Sequence, residues 1–280
     1  MCDEGRLWYK ELQKESRILR PLARGEQDLT AVSWDDALTR LAQTLTRVKE
    51  EHGANAVAGI IGAKATNEEV YLFSHLLTER VGTELVAGLS WSPADASHDN
   101  FLVKADKNPN TRGLQAMGFL DGGASAADVL AAAEQGTVKV LLVFAVDLVP
   151  AFGPEKLDAA LGNVEVVVFD TDYSGTTEYA DVLLPIGTAP ETDGTVTNYA
   201  GRVQRLRQAF PPPGEARPGW EVLSQLGVKF GGTDYLSSAE VFAELADKSP
   251  ASAGLTHTKL GSHGVQLPGE GSPTEPPAQT

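Results

Sequence analysis

Cysteine is almost absent from this sequence of 280 residues, with Cys2 standing alone. A single thiol excludes an internal disulfide framework and fits a reducing compartment. By itself it cannot hold an iron–sulfur cluster, which normally takes about four cysteine ligands. Histidine is sparse as well. His52, His75, His98, His257 and His263 are scattered, none at metal-ligand spacing with another histidine or with Cys2, so an autonomous zinc site is not expected. Apolar runs stay well short of the roughly 20 residues that span a bilayer. The opening Met1-Cys-Asp-Glu-Gly5 is acidic and leads into no apolar stretch, so no signal peptide is read. Neither GxGxxG nor GxxxxGK[ST] occurs, which removes a dinucleotide fingerprint and a P-loop. No GxSxG elbow or recognisable triad supplies a nucleophile, and no catalytic residue is assigned. Basic charge is the last shortage. Lys and Arg total 23 against 38 Asp and Glu, a net charge of −15 that argues against nucleic acid or an anionic membrane as the main partner.

What is present is a regular alternation of strands and capped helices. Ser33-Trp-Asp-Asp36 is a capping box, followed by Ala37, Leu38, Leu41, Leu45 and Val48 on one helical face and ended by Gly53. Asn55 to Gly62 reads as a strand buried on both faces. Thr66-Asn-Glu-Glu69 opens a second helix through Val70, Phe73, Leu76, Leu77 and Val81, and Glu84 to Ala87 is the next strand. Residues 88–123 lose regularity. Ser125-Ala-Ala-Asp128 then opens an alanine-rich helix, followed by a strand over Val138–Ala145, a short helix over Pro154–Leu161 and strands over Val164–Phe169 and Asp181–Pro185. Continuous Val/Ile/Leu strands alternating with helices predict an α/β fold with a doubly wound, mostly parallel sheet. Helices are also expected over Trp220–Leu226 and Ser238–Ala246. The expected division is an arm over 1–30, an α/β domain over 31–230, and a short helix with a disordered tail over 231–280.

The densest polar stretch is Glu191–Gln204, with Glu191, Asp193, Thr195, Thr197, Asn198, Arg202 and Gln204 around Gly194 and Gly201. It reads as a long loop placed to recognise something, or one that packs on its own domain. Gly194 and Gly201 are expected either to hold a positive φ or to permit close backbone approach. Asp170 and Asp172 end a strand where ligands of open α/β sheets sit, and read equally as turn formers or ligand contacts. Glu69 reads as a capping acid and His75 as an ordinary helix residue. Arg202, Arg205 and Arg207 read as one face of a strand, open to an anionic cofactor, a partner's acids or solvent.

Several stretches together resemble the molybdopterin oxidoreductase superfamily, in particular the large iron–sulfur (G, or 75 kDa) subunit of NADH:quinone oxidoreductase, respiratory complex I. They are Met1–Arg6, Val32-Ser-Trp-Asp-Asp-Ala-Leu38, Lys64-Ala-Thr-Asn-Glu-Glu69, Asp170–Pro185, Glu191–Gln204 and Gly214-Glu-Ala-Arg-Pro-Gly-Trp220. The resemblance implies that Thr66, Asn67, Glu68, Asp170, Asp172, Glu191, Gly194, Thr195, Asn198, Gly201, Arg202 and Gln204 face a cofactor. It also implies that Cys2 is the last ligand of a [4Fe–4S] cluster, its companions supplied by an extension or a separate chain. A bound molybdopterin is the lesser expectation, because no metal-ligating residue can be aligned. The function implied is a non-catalytic module of a complex I-type respiratory electron-transfer assembly. Its partners would be the other subunits, on the cytoplasmic face of the membrane, with membrane contact only through them. The alternatives are a compact molybdopterin-dependent subunit of formate dehydrogenase or hydrogenase type, or the remnant of a split subunit.

Overall fold

The structure is a computed structural model that describes residues 7–13, 15–25, 28–95, 98–99 and 103–268. Two short strands, β1 (Leu22–Arg24) and β2 (Leu29–Ala31), precede α1 (Trp34–His52). The Ser33 hydroxyl accepts the amide of Asp36, and Gly53 ends the helix with its own amide on the Lys49 carbonyl. Then come β3 (Val57–Gly62) and α2 (Asn67–His75), which continues through a π-helical turn over Leu76–Val81. After β4 (Val86–Leu89), the stretch read as irregular contains α3 (Thr111–Ala116). Next are α4 (Ala126–Glu134), β5 (Val140–Phe144), α5 (Val149–Phe152), α6 (Pro154–Leu161), β6 (Glu165–Asp170) and β7 (Val182–Pro185). Both Thr66 and Ser125 head complete capping boxes, so those two helix starts were legible from the side-chain pattern.

The main sheet has seven strands in the order β2-β1-β7-β6-β5-β3-β4. The five strands β3 to β7 run parallel, whereas β1 pairs antiparallel with both β2 and β7. Residue parity divides the sheet between two apolar layers, as the period of two requires. Ile61, Leu142, Phe144, Val167 and Phe169 face α1 and α2. Ile60, Leu141, Val143, Val166 and Val168 face α4 and α6. Phe144 lies between Phe73 and Phe169, with ring centroids 5.9 and 5.4 Å away. Each such pair adds about 0.5–1.5 kcal/mol beyond the area it buries.

Four expectations are corrected. The arm of residues 1–30 contributes to the core: Ile18 and Ala23 are buried and β1 lies inside the sheet, although Leu7, Tyr9 and Leu19 stay exposed. Its basic residues obscured this, because Arg17 is itself buried. Glu191–Gln204 is not a loop but most of a hairpin, β8 (Gly194–Thr197) and β9 (Arg202–Leu206), which with β10 (Val265–Gln266) forms a small antiparallel sheet. The Thr-Val-Thr run supplies the β-branched side chains that a half-buried strand favours. Arg202 and Arg205 differ in parity and so point to opposite faces of β9. Finally, the described part of the tail is ordered. Following α7 (Gly219–Val228) and α8 (Ser238–Lys248), a short α9 (His257–Leu260) leads into β10, and His257, Leu260 and Leu267 are buried.

Candidate functional site

From β3 the chain runs outward to β4 and then crosses back to β5 on the other side, so the strand order reverses between β3 and β5. A crevice outside the carboxyl ends of those two strands is where open α/β sheets bind ligands. Here it is lined by the turns after Gly62, Phe144 and Asp170. Ala145 has φ +53°, and among the described residues no other non-glycine residue enters the left-handed region. Holding it there costs on the order of 1–3 kcal/mol. A Cβ on Gly62 would overlap the Ala145 carbonyl oxygen, so the two turns touch through backbone at the reversal point.

Around this contact the edge is acidic. Asp147 Oδ1 accepts from the Val149 amide at 3.1 Å, the Thr176 amide at 3.0 Å and the Thr176 hydroxyl at 2.8 Å. Burial pushes Asp170 up to about 6, against the Thr171 amide and Lys64, with Asp172 and Asp147 adding to the rise. Asp172 accepts from the Ser16 hydroxyl at 2.9 Å and the Thr171 hydroxyl at 2.7 Å. Lys64 is the exposed cation of the turn after β3.

A second cluster forms where the hairpin lies on the start of α2. Asn67 Nδ2 donates to the Thr195 and Thr197 hydroxyls at 3.1 and 3.2 Å. Glu68 is fully buried; it accepts the Thr195 amide at 2.8 Å and is hydrogen-bonded to His257 Nε2 at 2.9 Å. Glu69 accepts the Thr66 amide at 2.7 Å, and burial pushes its carboxyl up to about 7. Gly194 fits because a Cβ there would lie 3.0 Å from the Thr66 methyl and 3.1 Å from Glu68 Oε2. Asn110 closes the group, donating to the Ala65 carbonyl at 2.8 Å and accepting the Thr197 amide at 2.7 Å.

Glu191 is held differently. Arg17 grips it with two hydrogen bonds of 3.0 and 2.7 Å, with both side chains about 4% exposed or less. Arg17 also forms a β-bridge to Asp172, which links this pair to the acidic edge. At the hairpin tip Asn198 accepts the Ala200 and Arg202 amides and donates to Gln204. Gly201 there has φ +73°, a conformation that favours glycine. Arg202 donates to the Gly264 carbonyl at 3.3 Å.

The structure therefore brings Thr66, Asn67, Glu68, Gly194 and Thr195 into one buried knot. Asn198, Gly201, Arg202 and Gln204 gather at the hairpin tip, Glu191 and Asp172 meet at Arg17, and Asp170 stays on the acidic edge beside Asp172. Cys2 lies outside the described residues. Sequence reasoning missed Arg17, Asn110 and His257. Only Asn110, just before a short helix, carried any local signal.

A phosphate-bearing pterin requires amide donors or cations that are not already engaged. At α2, Thr66 and Glu69 close the helix start and the first turn carries two buried acids. At the reversal point three carboxylates face one exposed lysine, and backbone contact fills the gap. At these two places the donors are engaged or faced by acids, so neither is a ready cradle for the phosphates of such a group.

Comparison with known proteins places these features in a lineage. A family model described as molybdopterin oxidoreductase matches residues 17–108 and 117–229. The alpha subunit of an F420-dependent formate dehydrogenase from Methanococcus maripaludis is 38% identical over 126 residues, covering 41% of this chain and 19% of that protein. The probable oxidoreductase YjgC of Bacillus subtilis is 40% identical over 116 residues, covering 41% of this chain and 11% of that protein. The chain thus spans under a fifth of the length of these relatives. The solved structure of acetylene hydratase from Pelobacter acetylenicus superposes with a TM-score of 0.56 at 12% identity, covering 92% of this chain and 67% of that one, a likeness of fold.

Proposed function

The chain belongs to the molybdopterin oxidoreductase family, and from that premise we propose that it is a non-catalytic α/β module of an electron-transfer assembly of the NADH:quinone oxidoreductase type. Its role in this reading is to hold an iron–sulfur arm against the other subunits. One observation carries the reading: the polar residues of the family-like motifs are spent on one another. Asn67, Glu68, Thr195 and Thr197 tie the hairpin to α2, and Arg17 takes both oxygens of Glu191. Arg17 further supports a scaffold role, since it fastens the segment that follows Cys2 to the sheet edge through the Thr171 carbonyl. Among the described residues no helix is long and apolar enough to cross a membrane, so attachment to a membrane assembly would pass through partner subunits.

A second reading is a piece of a molybdopterin-dependent oxidoreductase of formate dehydrogenase type. The name of the relative in M. maripaludis, a formate dehydrogenase subunit, favours it. Iron and molybdenum content of the assembly isolated natively on this chain separates the two. Iron without molybdenum supports the scaffold module, and replacing Cys2 by Ser then asks whether it is a cluster ligand. Stoichiometric molybdenum overturns the scaffold reading in favour of the enzyme.

A further inference from the structure

Just past the end of β7, where Arg217 bridges Ile186, a cavity of about 350 Å³ opens between the start of α1 and the 217–234 segment. Its floor is apolar: Trp34, Leu38 and Val228, the last of these 41% exposed although valine gains by burial. Its inner wall is Arg217. The guanidinium lies 4.8 Å from the centre of the Trp34 ring, and Nη1 donates to Gln225 Oε1 at 2.7 Å. The backbone of Arg217 is fixed too, because its carbonyl accepts the Gly187 amide at 2.9 Å. Trp34 is pinned in turn by its indole N–H on the Glu215 carbonyl at 2.7 Å. Arg217 forms no ion pair among the described residues, and so its charge is carried on a rigid mount facing an apolar floor. A buried or stacked guanidinium of this kind matches a carboxylate.

The rim decides the charge of the ligand. Lys229 is matched by Asp35 at 3.4 Å, and Asp234 also lines the cavity. Lys229 and Asp35 cancel, which leaves Arg217 as the cation open to a ligand, while Asp234 and Glu221, the latter bonded to Gln225, would repel a second negative charge. We propose that this cavity is a binding site for a monocarboxylate with an apolar body. The body rests on Trp34, Leu38 and Val228, and the carboxylate is held by Arg217. The site borders the end of β7, not the reversal point between β5 and β3, and it is independent of the scaffold role.

The test is titration of the isotopically labelled full chain with benzoate, followed by amide and indole NMR shifts. Phenyl phosphate and benzylamine serve as charge controls. The expected result is saturable movement of the Trp34 indole and of residues 217–234 by benzoate, with weaker binding of phenyl phosphate and none of benzylamine. R217Q should weaken benzoate about tenfold or more, the scale of a charged hydrogen bond. V228D changes an exposed side chain, so it keeps the fold while placing a like charge on the floor, and should abolish binding. The absence of saturable shifts with benzoate overturns the proposal. So does benzoate binding that R217Q and V228D leave unchanged.

Discussion

At the scale of the residue, the buried pair of Arg17 and Glu191 is the most exposed to mutation. Each side chain is nearly sealed from water, so neither charge can be rescued by solvent when its partner is lost. R17M should lower the unfolding free energy by about 3–5 kcal/mol, the usual cost of stranding one member of a buried pair. The double variant R17M/E191M should recover much of that loss, as read from urea midpoints. Glu69 makes a second prediction. Its folded carboxyl sits at about 7 against an ordinary 4.5, so the folded state keeps a proton that the unfolded chain gives up. The resulting stability is fully present below about 4.5 and is lost as pH rises to about 7. E69Q, which keeps an acceptor for the Thr66 amide, should flatten the fall in stability across that window. An unchanged pH profile would mean that burial does not hold Glu69 protonated.

Elements show what sequence could and could not disclose. The capped helix starts at Thr66 and Ser125 and the doubly apolar strands were legible because their signals are local: a hydroxyl, an acid three residues on, a run of Val, Ile and Leu. The hairpin was misread because Glu191, Asp193, Asn198 and Arg202 look solvated one at a time. Their partners are Arg17 for Glu191, the opposite strand for Asp193 and Asn198, and Gly264 for Arg202, and it takes the folded chain to supply them. The segment over 249–268 was missed for the same reason. Its Gly, Ser and Thr content suggests disorder, yet His257 reaches Glu68 and β10 completes the small sheet. A chain ending at Lys248 should therefore melt at lower temperature. Its Val203 amide, which faces β10, should lose protection from hydrogen exchange, since β10 no longer covers it. Unchanged protection would show that the hairpin stands without its third strand.

At the scale of the molecule, the strand order links the two ends of the folded body. Leu22 is paired with Leu183, about 160 residues later, and Ala23 with Val182. Contacts of such separation slow folding, because the chain must close a long loop before they form. A ribosome adding about 5–20 residues per second needs roughly ten to thirty seconds between the two partners. During that interval the β1–β2 ribbon has no sheet to join, and Ile18 and Ala23 have nothing to bury them. Nascent chains arrested before β7 should thus be cut by protease near residues 17–31, whereas chains arrested past the hairpin should resist. The antiparallel β1 beside β7 is consequently a clasp fastened late, and the sites most dependent on it, Arg17 with Glu191 among them, are born late in the life of each molecule.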